Sequence, residues 1–161
     1  MRRTAIALAL LVATVNRQQS QAVPAARAAL PLVGNWQLNV GRSHYAPGVD
    51  RRRREQMACT AETGNVRCVI RSVRADGHEL TGQFTASLDG VSAPVTGIPD
   101  VDEVQLRRPS VSLIDATFLL RGKPAFGYRA LQSDDGRSLM ILAVDPVTRA
   151  AATTVVVYDR R

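Results

Sequence analysis

Lysine is nearly missing from this chain of 161 residues: Lys123 is the only one, and every other basic side chain is arginine. Aromatic residues are scarce too, with one Trp, three Tyr and three Phe. His44 and His78 are the only histidines, and Cys59 and Cys68 the only cysteines. These absences exclude a good deal. A Ser-His-Asp arrangement has almost no material to draw on. His78 sits beside a turn and His44 in a loop containing Pro and Gly, so both read as surface residues without the buried charge partners of a reactive site. The Cys and His spacing is not a zinc pattern. No helical period persists after residue 33, so no Gly-rich phosphate loop can follow a strand and open a helix. We expect no catalytic residue, no metal and no cofactor. An enzyme would need buried His or Asp side chains converging in one cleft. The remaining aspartates cluster in turns, where their side chains bond the local backbone; Asp115 is the exception, within a strand, and is expected to face water.

The N-terminus carries a clear pattern. Arg2 and Arg3 precede an apolar stretch from Ala5 to Val15, then a polar segment ending in the small residues Ser20 and Ala22. This is the layout of a secretory signal, with cleavage after Ala22. The stretch is too short to span a bilayer, which takes about 20 residues. We expect an exported protein, periplasmic or extracellular, with residues 1–22 as signal, 23–32 as a flexible Ala- and Pro-rich leader, and 33–161 as one domain without a transmembrane segment. The formal charge of the whole chain is +7. Three of those charges (Arg2, Arg3 and Arg17) leave with the signal, so the mature chain is only mildly basic. One dense charge run stands out, Arg51-Arg52-Arg53-Arg54. It reads either as a solvated flank of a strand or as an anion-binding face for the phosphates of an envelope polymer. Strict alternation would send Arg52 and Arg54 to one face and Arg51 and Arg53 to the other. No aromatic residues are interleaved with the run as stacking platforms, so nucleic acid is not expected.

From residue 34 onward apolar residues alternate with polar ones, and turn signals recur at short intervals. The pattern predicts an all-β antiparallel fold. Strands are expected over 34–40, 53–61, 66–73, 79–88, 91–95, 101–107, 111–120, 125–133, 137–145 and 151–159. Three-residue loops ending in Gly set the register of several hairpins. Around Ala75-Asp76-Gly77, Ser72 faces Leu80, Ile70 faces Gly82 and Cys68 faces Phe84. Around Asp134-Asp135-Gly136, Ala130 faces Met140, Tyr128 faces Leu142 and Phe126 faces Val144. A loop at Leu120-Arg121-Gly122 pairs Ile114 with Tyr128 and Ala116 with Phe126. A two-residue turn at Thr63-Gly64 places Cys59 opposite Cys68 at the close spacing of a non-hydrogen-bonded pair, about 4.5 Å between Cα atoms. Disulfides tolerate roughly that distance, and an exported chain meets an oxidising compartment, so a Cys59–Cys68 disulfide is expected. The predicted interior comprises Trp36, Leu38, Val40, Met57, Ile70, Leu80, Phe84, Val104, Leu106, Ile114, Phe118, Phe126, Tyr128, Met140, Leu142, Val156 and Tyr158. Consecutive hairpins favour an up-and-down meander, and about eight or more strands can close into a barrel; a two-sheet β-sandwich is the alternative.

Several segments carry a resemblance. Gly34-Asn35-Trp36-Gln37-Leu38-Asn39, Arg42-Ser43-His44-Tyr45-Ala46-Pro47-Gly48, Ala75-Asp76-Gly77, Leu88-Asp89-Gly90 and above all Pro94-Val95-Thr96-Gly97-Ile98-Pro99-Asp100 resemble small secreted bacterial proteins described as lipocalin-like. Gly122-Lys123, Ser133-Asp134-Asp135-Gly136 and Val157-Tyr158-Asp159-Arg160 fit as well. The resemblance implies export and a lipocalin-like β-barrel, and carries no activity, substrate or catalytic residue. Gly34-x-Trp36 is similar to the lipocalin first-strand signature, in which Trp closes the barrel base beside a basic residue; Arg160 is the candidate here. The arginine run and the cysteine pair depart from the usual pattern. Ala61, Ala86, Ala116 and Ala130 also point inward, and small residues among Phe and Tyr can leave a cavity. The leading functional expectation is a non-enzymatic module holding a small apolar ligand, with Trp36, Met57, Phe84, Phe118 and Tyr128 as its candidate contacts.

Overall fold

A computed structural model describes residues 30–161; the expected signal, and all of the expected leader before residue 30, lie outside the described residues. Ten strands follow one another: β1 (Gly34–Leu38), β2 (Arg52–Glu62), β3 (Asn65–Arg74), β4 (Glu79–Ser87), β5 (Asp89–Thr96), β6 (Glu103–Ser110), β7 (Leu113–Leu120), β8 (Lys123–Gln132), β9 (Ser138–Val144) and β10 (Ala151–Arg160). Each pairs antiparallel with its sequence neighbours, and β1 also pairs with β10, so the sheet closes into a barrel. Closure is the physical alternative to a sandwich because it leaves no unpaired edge.

One face of the sheet collects the large apolar side chains. Trp36, Leu38, Met57, Phe84, Val104, Leu106, Ile114, Phe118, Val156 and Tyr158 are all buried. The turn at 75–78 sets the expected register, with Ser72 on Leu80, Ile70 on Gly82 and Cys68 on Phe84. Across the Thr63-Gly64 turn, Cys59 faces Cys68 and the two form a disulfide with Cα atoms 4.1 Å apart. Both cysteines belong to the core. The bond encloses a short loop, so breaking it should cost about 2–3 kcal/mol. A Cys59→Ala/Cys68→Ala variant is expected to melt lower in calorimetry yet keep the strand spectrum of the parent. An unfolded double variant would mean that the barrel depends on the bond.

Other expectations need correcting. β8 and β9 meet one residue out of the expected register: Ala130 faces Ile141 and Tyr128 faces Ala143. Leu139 and Ile141 therefore join the core, while Met140 is 37% exposed and Leu142 shares its outer face. The cause is the turn. The Ser133 amide donates to the Ser138 carbonyl at 2.9 Å, enclosing four residues rather than three, and the Ser133 and Asp135 side chains accept the Ser138 and Arg137 amides. Leu139-Met140-Ile141-Leu142-Ala143-Val144 is apolar on both faces, so hydrophobic pattern gives no information on register there. Between β7 and β8 the shift is two residues, with Ala116 on Tyr128, Ile114 on Ala130 and Phe118 on Phe126. There the turn is only Arg121-Gly122, both at positive φ (51° and 72°), and a bulge follows at Phe118/Leu119. A two-residue shift preserves the faces, so the interior assignment survives. Val40 is 52% exposed because β1 ends at Leu38 and the chain enters a 3-10 turn over Val40–Arg42. At the other boundary, Pro31 and Leu32 are buried, and the Leu32 carbonyl accepts a 2.8 Å hydrogen bond from Trp36 Nε1, so Leu30 to Leu32 belong to the domain rather than to a loose leader.

Candidate ligand cavity inside the barrel

The barrel encloses a cavity of about 510 Å³. Its origin is the inner face itself. Alternation brings Ala116, Ala130 and Ala143 inward on β7, β8 and β9, each leaving space that a larger residue would fill. The aromatic residues gather on one wall. Phe118 stacks on Phe126 with centroids 4.9 Å apart and meets Phe84 and Tyr128 edge-on at 6.2 and 6.0 Å. Ten strands make a wider barrel than eight, which side chains can just fill. Ile70, Ala116, Phe126, Tyr128 and Ile141 are only partly buried although they pack on the core, because they border this space.

The base and the mouth differ. At the base Trp36 is 1% exposed, its indole donates to Leu32, and the Arg160 guanidinium lies 4.5 Å over its ring. Arg160 also donates to the Gly136 and Val33 carbonyls. The resemblance had singled out this Trp–Arg pair. Trp36 does not line the cavity: both its ring face and its N–H are occupied by the structure that closes the barrel. Met57, Phe84, Phe118 and Tyr128, the other four candidate contacts, all line it. At the mouth stand Val49, Asp50 and the segment Gly97–Asp100. Here the Pro94–Asp100 stretch of the resemblance finds its role. Gly97, at φ 73°, lies so close to the Thr81 carbonyl that no Cβ fits, and this contact folds the loop back toward β4. Ile98 then fills the place of the side chain that Gly82 lacks.

Near the mouth lies a polar group that sequence patterning missed. In β2 a bulge makes Arg53 the extra residue, so that Arg52 faces Arg74 while Arg54 faces Val73. The bulge breaks alternation and turns Arg52 inward, as bulges do. Arg52 Nη1 pairs with Glu55 Oε1 at 2.9 Å and lies 3.3 Å from the Tyr158 hydroxyl, which itself donates a short hydrogen bond to Glu55. Tyr45 joins them. Residue 44 bridges to Val155 of β10, which leaves His44 exposed and Tyr45 buried. The Tyr45 hydroxyl is buried with no hydrogen-bond partner. Burial pushes the Tyr158 hydroxyl well above its ordinary pKa, assisted by the Glu55 charge, and burial also raises Tyr45, so both stay protonated donors at neutral pH. Burial works against the Arg52 charge and the Glu55 carboxylate favours it; the guanidinium is held above its ordinary value and remains charged at neutral pH.

The arginine run is thus divided. Arg52 is spent inside, whereas Arg51, Arg53 and Arg54 are exposed. Arg54 borders a smaller outer hollow of about 260 Å³ with Gln56, Arg71 and Glu79. Asp115 lies on the outer face as expected but is not simply solvated: Arg129 and Arg149 bind it at 3.0 and 2.9 Å. Burial opposes its charge, and those two hydrogen bonds prevail, holding the carboxyl below its usual range. His78 is exposed beside its turn. No group of three or more His, Cys, Asp or Glu residues capable of holding a metal ion occurs among the described residues. No family model, curated protein or solved structure matches this chain. Among the described residues no helix is long and apolar enough to cross a membrane.

Proposed function

We propose that this protein is an exported, non-enzymatic binding module that holds one small, mainly apolar ligand inside its barrel. The cavity carries this reading: at about 510 Å³ it falls within the range of small-molecule sites, roughly 300–1,000 Å³, and it joins an apolar aromatic wall to a few convergent polar groups. Export rests on the signal pattern of residues 1–22 and accords with a disulfide, which needs an oxidising compartment. Binding of envelope polymers through Arg51 to Arg54 has less support, because Arg52 is already paired inside the barrel.

The test uses N-phenyl-1-naphthylamine, whose fluorescence rises in apolar surroundings. The wild-type protein is expected to bind it, and Ala116→Phe, which fills the cavity from its lining, to weaken binding by at least about tenfold with little loss of stability. Equal binding by the two proteins, or none by either, would defeat the reading.

A further inference from the structure

The cavity has a charge balance and a chemical polarity that narrow its ligand. Five charged residues border it: Asp50, Arg52, Glu55, Arg74 and Asp100. Arg52 is paired with Glu55 at 2.9 Å, and Arg74 with Asp50 at 3.0 Å. Asp100 sits exposed on the mouth loop and adds a negative charge there. No cation inside is left over to neutralise an anionic ligand, and an ammonium ligand would meet the charged Arg52. Burying an uncompensated charge is costly, whereas burying a polar group that finds hydrogen bonds is not. Apart from the separate hydroxyls of Ser72, Thr154 and Tyr128, the hydrogen-bonding side chains inside the cavity form one group around Arg52. Arg52 uses Nη1 for its protein contacts, leaving Nε and Nη2 without protein partners among the described residues. Glu55 is engaged through Oε1 alone. The Tyr45 hydroxyl, on a residue more than nine-tenths buried, donates its proton to no acceptor, although the Arg52 backbone amide approaches its oxygen. Phe84, Phe118 and Phe126 offer no polar side-chain atom, and the Tyr128 hydroxyl is the one polar atom of that aromatic cluster.

We infer that the ligand is an uncharged molecule with an apolar body and a single oxygen-bearing end group, an alcohol or carbonyl compound, seated with its oxygen at Arg52, Glu55 and Tyr45. The inference rests on the cavity reading above and refines it. A hydroxyl oxygen accepts from Arg52 or Tyr45 while its proton goes to the free oxygen of Glu55. A carbonyl oxygen uses the donors alone. The apolar body then runs along the aromatic wall.

The experiment is displacement of N-phenyl-1-naphthylamine from the wild-type protein at neutral pH by decanol, decanoate and decylamine, which share a chain and differ in charge. Decanol is expected to displace the probe at a concentration at least about tenfold lower than either ion, since only it enters without an unbalanced charge. Glu55→Gln keeps an oxygen acceptor for Arg52 and Tyr158 but removes the balancing charge, so decanoate should gain about tenfold on decanol in that variant. Tyr45→Phe deletes one hydroxyl without altering charge, and should weaken decanol severalfold while leaving the ratio of the two ions unchanged. Decanoate or decylamine equalling decanol on the wild-type protein would overturn the inference and leave the cavity reading intact. Failure of the probe to bind would instead bring down both. Should Glu55→Gln fail to fold, the wild-type ranking and Tyr45→Phe decide the matter without it.

Discussion

Replacing Trp36 with alanine is expected to remove about 3–5 kcal/mol of stability, the usual cost of truncating a large, fully buried aromatic residue. Trp36 is 1% exposed and sits where β1 is held between β2 and β10. Its loss deletes the contact with Arg160 and the bond to Leu32, and opens a hole at the base. Urea unfolding followed by circular dichroism measures the effect, since the variant has no tryptophan left to report. Arg160→Met should cost less, about 1–3 kcal/mol, the sum of an exposed cation–π contact and two exposed hydrogen bonds to the Gly136 and Val33 carbonyls. A Trp36→Ala protein within about 1 kcal/mol of wild type would mean that the base is closed by something other than the indole.

Glu55→Ala is the second large effect. The Glu55 side chain is 5% exposed and accepts hydrogen bonds from both Arg52 and Tyr158. Deleting it strands a guanidinium and a buried phenol. Breaking a buried pair costs roughly 3–5 kcal/mol, and partial exposure of Arg52, 31%, lowers the expectation to about 2–4 kcal/mol. Arg52→Met/Glu55→Ala should recover part of that loss, because no lone charge remains. The same urea titration compares the single and double variants. A double variant no more stable than Glu55→Ala would show that the stranded charge is not the source of the cost.

Much of this architecture was legible from the residues. Hairpins with an unambiguous alternating face and a Gly at the turn, 59–68 and 68–84, have their observed register because a one-residue slip would expose the core. The β8–β9 hairpin was not legible for the converse reason. Its second strand is apolar throughout, so the decision fell to Ser133 and Asp135, whose side-chain bonds lengthen the turn. The candidate site was half legible. Met57, Phe84, Phe118 and Tyr128 follow from alternation, and all border the cavity. Arg52 does not, because a bulge cancels alternation at that point and has no Gly or Pro to announce it. Yet a signal was present. The register that turns Cys59 inward also turns Met57 and Glu55 inward, and a carboxylate on a core-facing position requires a partner. The adjacent arginine run contained it.

The meander has a kinetic corollary. Nine of the ten strand pairings join neighbours in sequence and need only a turn, or at most a loop, to bring them together; the tenth, β1 to β10, joins Trp36 to Arg160 across almost the whole domain. The entropy of closing so long a loop falls on one event, which grows only slowly with length but earns no contacts until the strands meet. Hairpins can therefore accumulate early, whereas the circle is completed by the five-residue strand β1, the shortest of the ten. Until then β1 and β10 are open edges with unsatisfied backbone groups, each a template for another chain. The time spent with that seam open, rather than the strength of the finished barrel, sets how readily this protein is lost to aggregation while it folds.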